Sequence, residues 1–417
     1  MSKPRLLFVS PVVPKLSGTG IAMRAGTQLR ELASLFTVTL GIVLDGQRAE
    51  DALAELPKEL RELCAEVIVS SEPPLLTRLT LLFPNSRSRR MAQAVLRVPP
   101  HFQRRAAIRA LAGKLKGKHF DVVHCFRLIT GSLPRALVSQ GGAYSRSVLD
   151  LDDYESRAKL RYAAKLLRNL GPLQWLAGRF EVLMWAALEN STVPRFDDVY
   201  VCSTMDRELL QARFSSKARF VTVPNVVSGW NPSPRSPADP FIFLFVGSLS
   251  YPPNRDAVMF FCRNILPQLR RMAAAPFRVQ IVGQKPDEEL RKLNNGSDIE
   301  VVGSVPDVSP FYLAAGAAIV PLRAGGGTRI KILEAFSCAV PVVSTAVGAE
   351  GLEVEDGKNI LIADAPEDFA ARCSLLISDT GMRQRIGEGG LALFEQQYTQ
   401  KRLGNILASA YTAAGLF

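Results

Sequence analysis

The chain has 417 residues, 47% apolar and 22% charged, with a formal net charge of 51 − 39 = +12. This is ordinary globular composition, long enough for two or three domains, and it excludes long disorder, collagen and coiled coil. The longest clean apolar run, Val182 to Leu188, is far short of the ~20 residues of a membrane-spanning helix.

The N-terminal MSKPRLLFVSPVVP reaches proline within a few apolar residues and reads as a first β-strand rather than a signal peptide. The expectation is a cytoplasmic protein, either free or peripheral on the inner face of the membrane. Further strands are expected at Val38–Leu44, Glu66–Ser70, Asp121–Phe126, Ser147–Leu151, Val199–Ser203 and Phe220–Pro224, with the first at Arg5–Ser10. Their nearly continuous apolar character suits parallel strands buried on both faces, and amphipathic helices lie between them. The segment SGWNPSPRSPADP, 228–240, carries four prolines without periodicity and reads as a stiff linker. A second series follows, with strands at Phe241–Val246, Arg278–Val282, Ile299–Val302, Ala318–Pro321, Pro341–Ser344 and Ile360–Ile362. Helices are expected near Asn254–Arg271, Thr328–Cys338 and Pro366–Ser378, and the tail from Met382 is helical by pattern. The fold class is α/β, with two Rossmann-like doubly wound domains facing a cleft, at 1–227 and 241–395. A C-terminal helix at 396–417 is expected to pack back on the first domain.

Six cysteines (Cys64, Cys125, Cys202, Cys262, Cys338 and Cys373) form no C-x-x-C pair and mostly sit in apolar segments, as reduced core thiols do. Three histidines, His101, His119 and His124, are too few for a histidine-rich metal site. Between Glu72 and Asp121 there are eleven Lys or Arg and no acid. No nucleic-acid motif or aromatic platform accompanies them, so Arg78–Lys118 is expected to face an anionic lipid surface or to be a solvated basic face.

The most informative segment is PLRAGGGTRIKILEAFSCAVPVVSTAVGAEGL, from Pro321 to Leu352. A strand ends, three glycines follow, and Thr328 opens a helix. Bare backbone N–H groups and the helix dipole make such a turn an anion site. Arg329 and Lys331 put cations at a helix N-terminus, where they are disfavoured unless an anion compensates. The alternative is a plain βα turn with solvated charges. Glu334, inside the helix, is placed to accept hydrogen bonds from ribose hydroxyls.

This segment resembles the donor-binding motif of retaining glycosyltransferases of family 4, which have the GT-B fold. FLFVGSLSYPPNRDAV, VQIVGQKP and VVGSVPDVSPFYLAAGAAIVPLR resemble further pieces in the same order. The resemblance is strongest over 241–352, and its nearest members are bacterial sugar transferases of the exopolysaccharide type. It implies transfer from a nucleotide-diphosphate sugar, with UDP favoured, by a front-face, metal-independent route and without a resident cofactor. The acceptor it implies is a glycan, a lipid-linked sugar or a small molecule.

By position, Arg329 and Lys331 become the catalytic cations and Glu334 the ribose ligand. Gly326, Gly327 and Thr328 face the diphosphate and sugar. Gly326 stands where the family's first glutamate is usual. Gly247 and Ser248 match a phosphate-binding turn in which Ser248 replaces an arginine, so Arg255, Arg329 or Lys331 supplies the charge. Gly303 and Val305 belong to the loop that reads the base. Gly18 and Gly20 resemble the glycine loop beneath the donor sugar, or form a tight turn, with Arg24 one helical turn on. His124 is a sugar contact or a core residue. Asp150 and Asp152 have D-x-D spacing. Asp152 and Asp153 are read as acceptor-side or helix-capping residues, with metal ligation the remaining alternative. Rival readings are a catalytically silent nucleotide-sugar-binding subunit and a sugar-nucleotide epimerase of the same fold.

Overall fold

The computed structural model describes residues 3–72, 100–165, 172–214, 217–227, 238–327 and 329–416. It divides into two compact units, Met1–Pro224 with Leu403–Phe417, and Asn225–Arg402. Most of the proline-rich segment, 228–237, lies outside the described residues.

The first unit holds β1 (Arg5–Ser10), β2 (Thr37–Asp45), β3 (Cys64–Glu72), β4 (His119–Phe126), β5 (Ala143–Asp152), β6 (Asp198–Val201) and β7 (Arg219–Thr222). Their order is β3-β2-β1-β4-β5-β6-β7, and all neighbours are parallel. The second unit holds β8 (Phe241–Val246), β9 (Phe277–Val282), β10 (Ile299–Gly303), β11 (Ala317–Val320), β12 (Val342–Ser344) and β13 (Leu361–Ile362). Their order is β10-β9-β8-β11-β12-β13, again all parallel. Each sheet therefore reverses direction of growth beside its first strand, and ligands of such sheets bind at the carboxyl ends near that point.

Continuous apolar runs became buried central strands: Leu6 to Val9 and Phe243 to Phe245 are at most 1% exposed. β5 starts at Ala143, four residues before the predicted strand, because Ala143–Arg146 pair with β4 despite their polar, half-exposed sequence. The predicted helix Asn254–Arg271 is interrupted by a π-turn over Phe261–Ile265. Pro267 has no N–H for the carbonyl four residues back, and the chain widens there. From Leu403 onward the C-terminal helix Gln400–Thr412 belongs to the first unit. Its Tyr411 is fully buried, edge-on to Phe36 and Tyr200.

Five cysteines are buried and all six are free. Among the described residues no helix is long and apolar enough to cross a membrane. Of the basic stretch, 78–99 lies outside the described residues. The rest includes the helix Pro100–Lys114, whose Ala107, Ile108 and Leu111 are core residues. Arg104 pairs with Asp45, Lys114 donates to Val69 O and Lys118 pairs with Glu66. These three cations have partners within their own unit, while Arg105, Arg109 and Lys116 are exposed.

Candidate functional site

In the second unit, the carboxyl ends of β8, β9 and β10 run into Gly247, Gly283 and Gly303. Gly247 N–H donates to Val282 O (3.0 Å) and Gly283 N–H to Gly303 O (2.8 Å). A Cβ on Gly283 would lie 1.8 Å from Gly247 O, so only glycine fits there. Ser248 accepts a bond from Asn254 Nδ2 at its backbone oxygen (2.9 Å), and its hydroxyl lies 3.1 Å from that of Ser250. Val305 is half-buried in the loop after β10.

The glycine turn follows β11. Gly325 and Gly327 take φ of +127° and +70°, which side chains disfavour, and the turn is thereby left with bare backbone. Thr328 lies outside the described residues. Arg329 is 8% exposed, donates from Nη1 to Gly326 O, and leaves its buried Nε without a partner among the described residues. Among the described residues no carboxylate lies within ion-pair distance of Arg329 or Lys331. Arg323, in the same turn, is held by Asp256 (2.9 Å) and lies over the Phe260 ring.

The helix Ile330–Ser337 carries Lys331 and Glu334. Lys331 Nζ donates to Asn254 Oδ1 (2.8 Å) and lies 4.3 Å from the Phe245 ring centroid. A Cβ on Gly247 would come within 2.8 Å of that ammonium. Burial, and secondarily the Arg329 charge, hold Lys331 down to about 7, with Glu334 opposing. Glu334 is 8% exposed, and Tyr312 Oη lies 2.9 Å from its Oε2 and 3.1 Å from Lys331 O. Burial raises the Glu334 carboxyl, against the Tyr312 hydrogen bond and Lys331. The turn, Arg329, Lys331, Gly247 and Glu334 thus come together at the carboxyl ends of the central strands β8 and β11. An anion there would meet two cations with no carboxylate partner and a row of bare backbone.

Arg255 is not part of that cluster's open charge. It is bound to Asp287 (2.5 Å) and to Glu289.

In the first unit, the residues expected on the sugar or acceptor side are mostly tied to one another. Gly18 has φ +104° with open space where a Cβ would be, and Gly20 begins the helix Gly20–Leu35. Arg24 is 2% exposed: Nη2 binds Asp150 (2.9 Å), Nη1 binds Val223 O (2.9 Å), and Asp152 lies 3.6 Å from Nε. Asp152, at φ +59°, pairs with Arg127 (2.9 Å), and Arg127 also pairs with Glu155. Asp153 is half-buried and its N–H donates to Leu151 O. The carboxylates at D-x-D spacing therefore face arginines. Among the described residues no group of three or more metal-ligating side chains is assembled. His124, expected as a sugar contact or a core residue, is fully buried. It is 0% exposed, its Nδ1 lies 2.8 Å from Tyr411 Oη, and burial lowers it to about 3.

Sequence reasoning missed Tyr312, Asn254 and Gly283. Asn254 was legible as a polar residue in the first turn of a helix after a glycine-ended strand. Tyr312 gave no local signal, because a tyrosine in an apolar helix reads as core.

Residues 240–379 match the family model described as Glycosyl transferases group 1. An uncharacterised glycosyltransferase of Methanocaldococcus jannaschii is 32% identical over 122 residues, 27% of this chain; the match spans only 34% of that relative's length. A D-inositol 3-phosphate glycosyltransferase of Geodermatophilus obscurus is 25% identical over 329 residues, 71% of this chain and 67% of that one. The structure of Anabaena HepE in complex with UDP-glucose is similar at TM-score 0.64 and 15% identity, covering 98% of this chain and 100% of that one. The segment that matches the Glycosyl transferases group 1 model lies within the second unit, and the two parallel-sheet units have the GT-B fold of these glycosyltransferase structures.

Proposed function

We propose that this protein is a retaining glycosyltransferase that moves a sugar from a UDP-sugar to a glycan, lipid-linked or small-molecule acceptor. The observation that carries the reading is the pair Arg329 and Lys331 beside the glycine turn, buried or half-buried, with Arg329 Nε lacking a partner among the described residues. A buried cation with an unmet hydrogen-bond donor is costly unless a ligand completes it. A nucleoside diphosphate supplies the charge and the acceptor oxygens, and Glu334 is placed to take the ribose hydroxyls. UDP is preferred because the similar HepE structure is a UDP-glucose complex.

In this reading the chain's residues act electrostatically. As the bond from sugar to diphosphate lengthens, negative charge grows on the leaving phosphate. Arg329, Lys331 and the turn's N–H groups stabilise it there without reorganising. A phosphate oxygen takes the acceptor proton on the same face, so no protein nucleophile is required. A divalent ion is not invoked, since Asp150 and Asp152 already have Arg24 and Arg127 as counter-charges.

The test is thermal stabilisation by UDP, GDP, ADP, CMP and dTDP, each with and without Mg²⁺; ligand binding to the folded state makes such shifts readable. A shift with one diphosphate that ignores Mg²⁺ is expected. A shift that needs the metal would overturn the mechanism, and none at all would overturn the site. Gly326, in place of the family's first glutamate, favours one competing reading, a catalytically silent nucleotide-sugar-binding subunit. Acceptor-dependent release of the nucleotide decides between them.

A further inference from the structure

Asn254 lies in the first turn of the helix Pro252–Phe260 and is 8% exposed. Both ends of its amide are used. Nδ2 donates to Ser248 O (2.9 Å), in the turn after β8, and Oδ1 accepts from Lys331 Nζ (2.8 Å), on the helix after the glycine turn. The two side chains meet over Gly247, where an added Cβ would lie 2.8 Å from Asn254 Nδ2 and 2.8 Å from Lys331 Nζ. One residue thus joins two backbone turns of the site.

The bridge requires an amide. A backbone carbonyl only accepts and an ammonium only donates, so the residue between them needs one donor end and one acceptor end. Aspartate has the same shape but offers acceptors alone when ionised, and serine or threonine is shorter.

The same helix shows the other choice. Two residues on, Asp256 gives Arg323 a carboxylate (2.9 Å), and that cation is neutralised in place. Asn254 gives Lys331 a hydrogen bond and no charge. The other groups around Lys331 do not replace the missing carboxylate. Phe245 and Tyr312 bring no charge, burial and then Arg329 disfavour the ammonium, and Glu334 opposes them more weakly. Glu334 is itself bound by Tyr312 Oη (2.9 Å).

We propose that Asn254 is a positioning residue of the donor site, holding Lys331 Nζ over Gly247 without a counter-charge so that the incoming diphosphate is the anion that completes the pair. The inference rests on the nucleotide-sugar reading of this site.

The experiment is titration calorimetry of the full chain with UDP and with GDP between pH 6.5 and 9, in two buffers of different ionisation enthalpy. Asn254→Asp keeps the side chain's shape and places an anion in the first turn of a helix, where it is favoured, so its thermal midpoint is expected near wild type. Its carboxylate keeps Lys331 charged and competes with the diphosphate. Near neutral pH it should bind about tenfold or more weakly than wild type and take up no proton. The gap should narrow as pH rises and the wild-type lysine loses its charge. Asn254→Ala removes the bridge without adding charge, and should bind more weakly by a smaller factor with wild-type proton uptake.

An asparagine that only braces the loop would lower the midpoint of both variants and leave proton uptake alike in all three proteins, which would overturn the inference. Asn254→Asp binding as tightly as wild type at pH 7 would overturn it too. Should Asn254→Asp fail to fold, unchanged affinity in Asn254→Ala does the same. In each of these cases wild type still binds a diphosphate and the donor reading stands. Wild type that binds neither UDP nor GDP would overturn the donor reading, and the inference with it.

Discussion

At the carboxyl ends of β4 and β5, each charge of the buried cluster has an opposite charge beside it. Arg24 meets Asp150, and Arg127 meets Asp152 and Glu155. At the carboxyl ends of β8 to β11, Arg329 and Lys331 have none within ion-pair distance among the described residues, and Arg329 Nε has no partner. Both sheets are parallel, both places are the topological ligand site, and both hold charge in low dielectric. A complete set of partners makes charge a structural element. An incomplete one leaves the cost to be met by a ligand. The comparison predicts opposite consequences for mutations that look alike on paper.

The largest effect is expected in the first unit. Arg24→Ala leaves Asp150 buried beside a vacated site and should cost about 3–5 kcal/mol of stability, measured by urea unfolding. Arg329→Ala removes an incompletely satisfied cation and should leave the urea midpoint near wild type. Equal losses in the two variants would break the comparison.

Next comes chemistry. Arg329→Ala and Lys331→Ala should each lower turnover by roughly 10²–10³-fold, the range for a lost donor at developing charge. Near-normal turnover in both and in the double variant would remove them from the mechanism. Glu334→Ala should weaken donor binding by roughly tenfold or more, the scale of a hydrogen bond to a charged group, with a smaller change in turnover. Titration calorimetry reads the first and initial rates the second; an unchanged Kd would take the ribose from Glu334.

The two places were not equally legible in sequence. The strands were, since runs such as LLFVS and FIFLFV have only one way to bury both faces in an α/β chain. The glycine turn was legible too, because three glycines between a strand and a cationic helix serve no packing purpose. What sequence did not disclose was partner identity. Arg24 and Asp150 stand 126 residues apart, and nothing local says that they meet. Arg255 follows a glycine-ended strand as a phosphate ligand would, but Asp287 and Glu289, more than thirty residues on, hold it. Asp150-x-Asp152 had the spacing for a cation, and the cations proved to be guanidinium groups. A charge motif fixes only what a site can attract, and the tertiary fold fixes whether the chain itself has already supplied it.

The smallest predicted effect tests that contrast most directly. Lys331 titrates at about 7 in the unliganded protein because burial and Arg329 disfavour its charge. A diphosphate beside Nζ favours the charged form, so binding raises that pKa. Above pH 7 the free protein is mostly neutral at Lys331 and must take up a proton to bind. Affinity for the stabilising nucleotide sugar should therefore fall by up to about tenfold per pH unit above neutrality, and level off below it. Calorimetry at pH 8 in two buffers of different ionisation enthalpy should show uptake approaching one proton. Lys331→Arg, which stays charged throughout, should bind without uptake and with a flat pH profile. If wild type and Lys331→Arg show the same proton balance, the cation at the carboxyl end of the second sheet is charged before the donor arrives, and the incomplete partner set there does not act through Lys331.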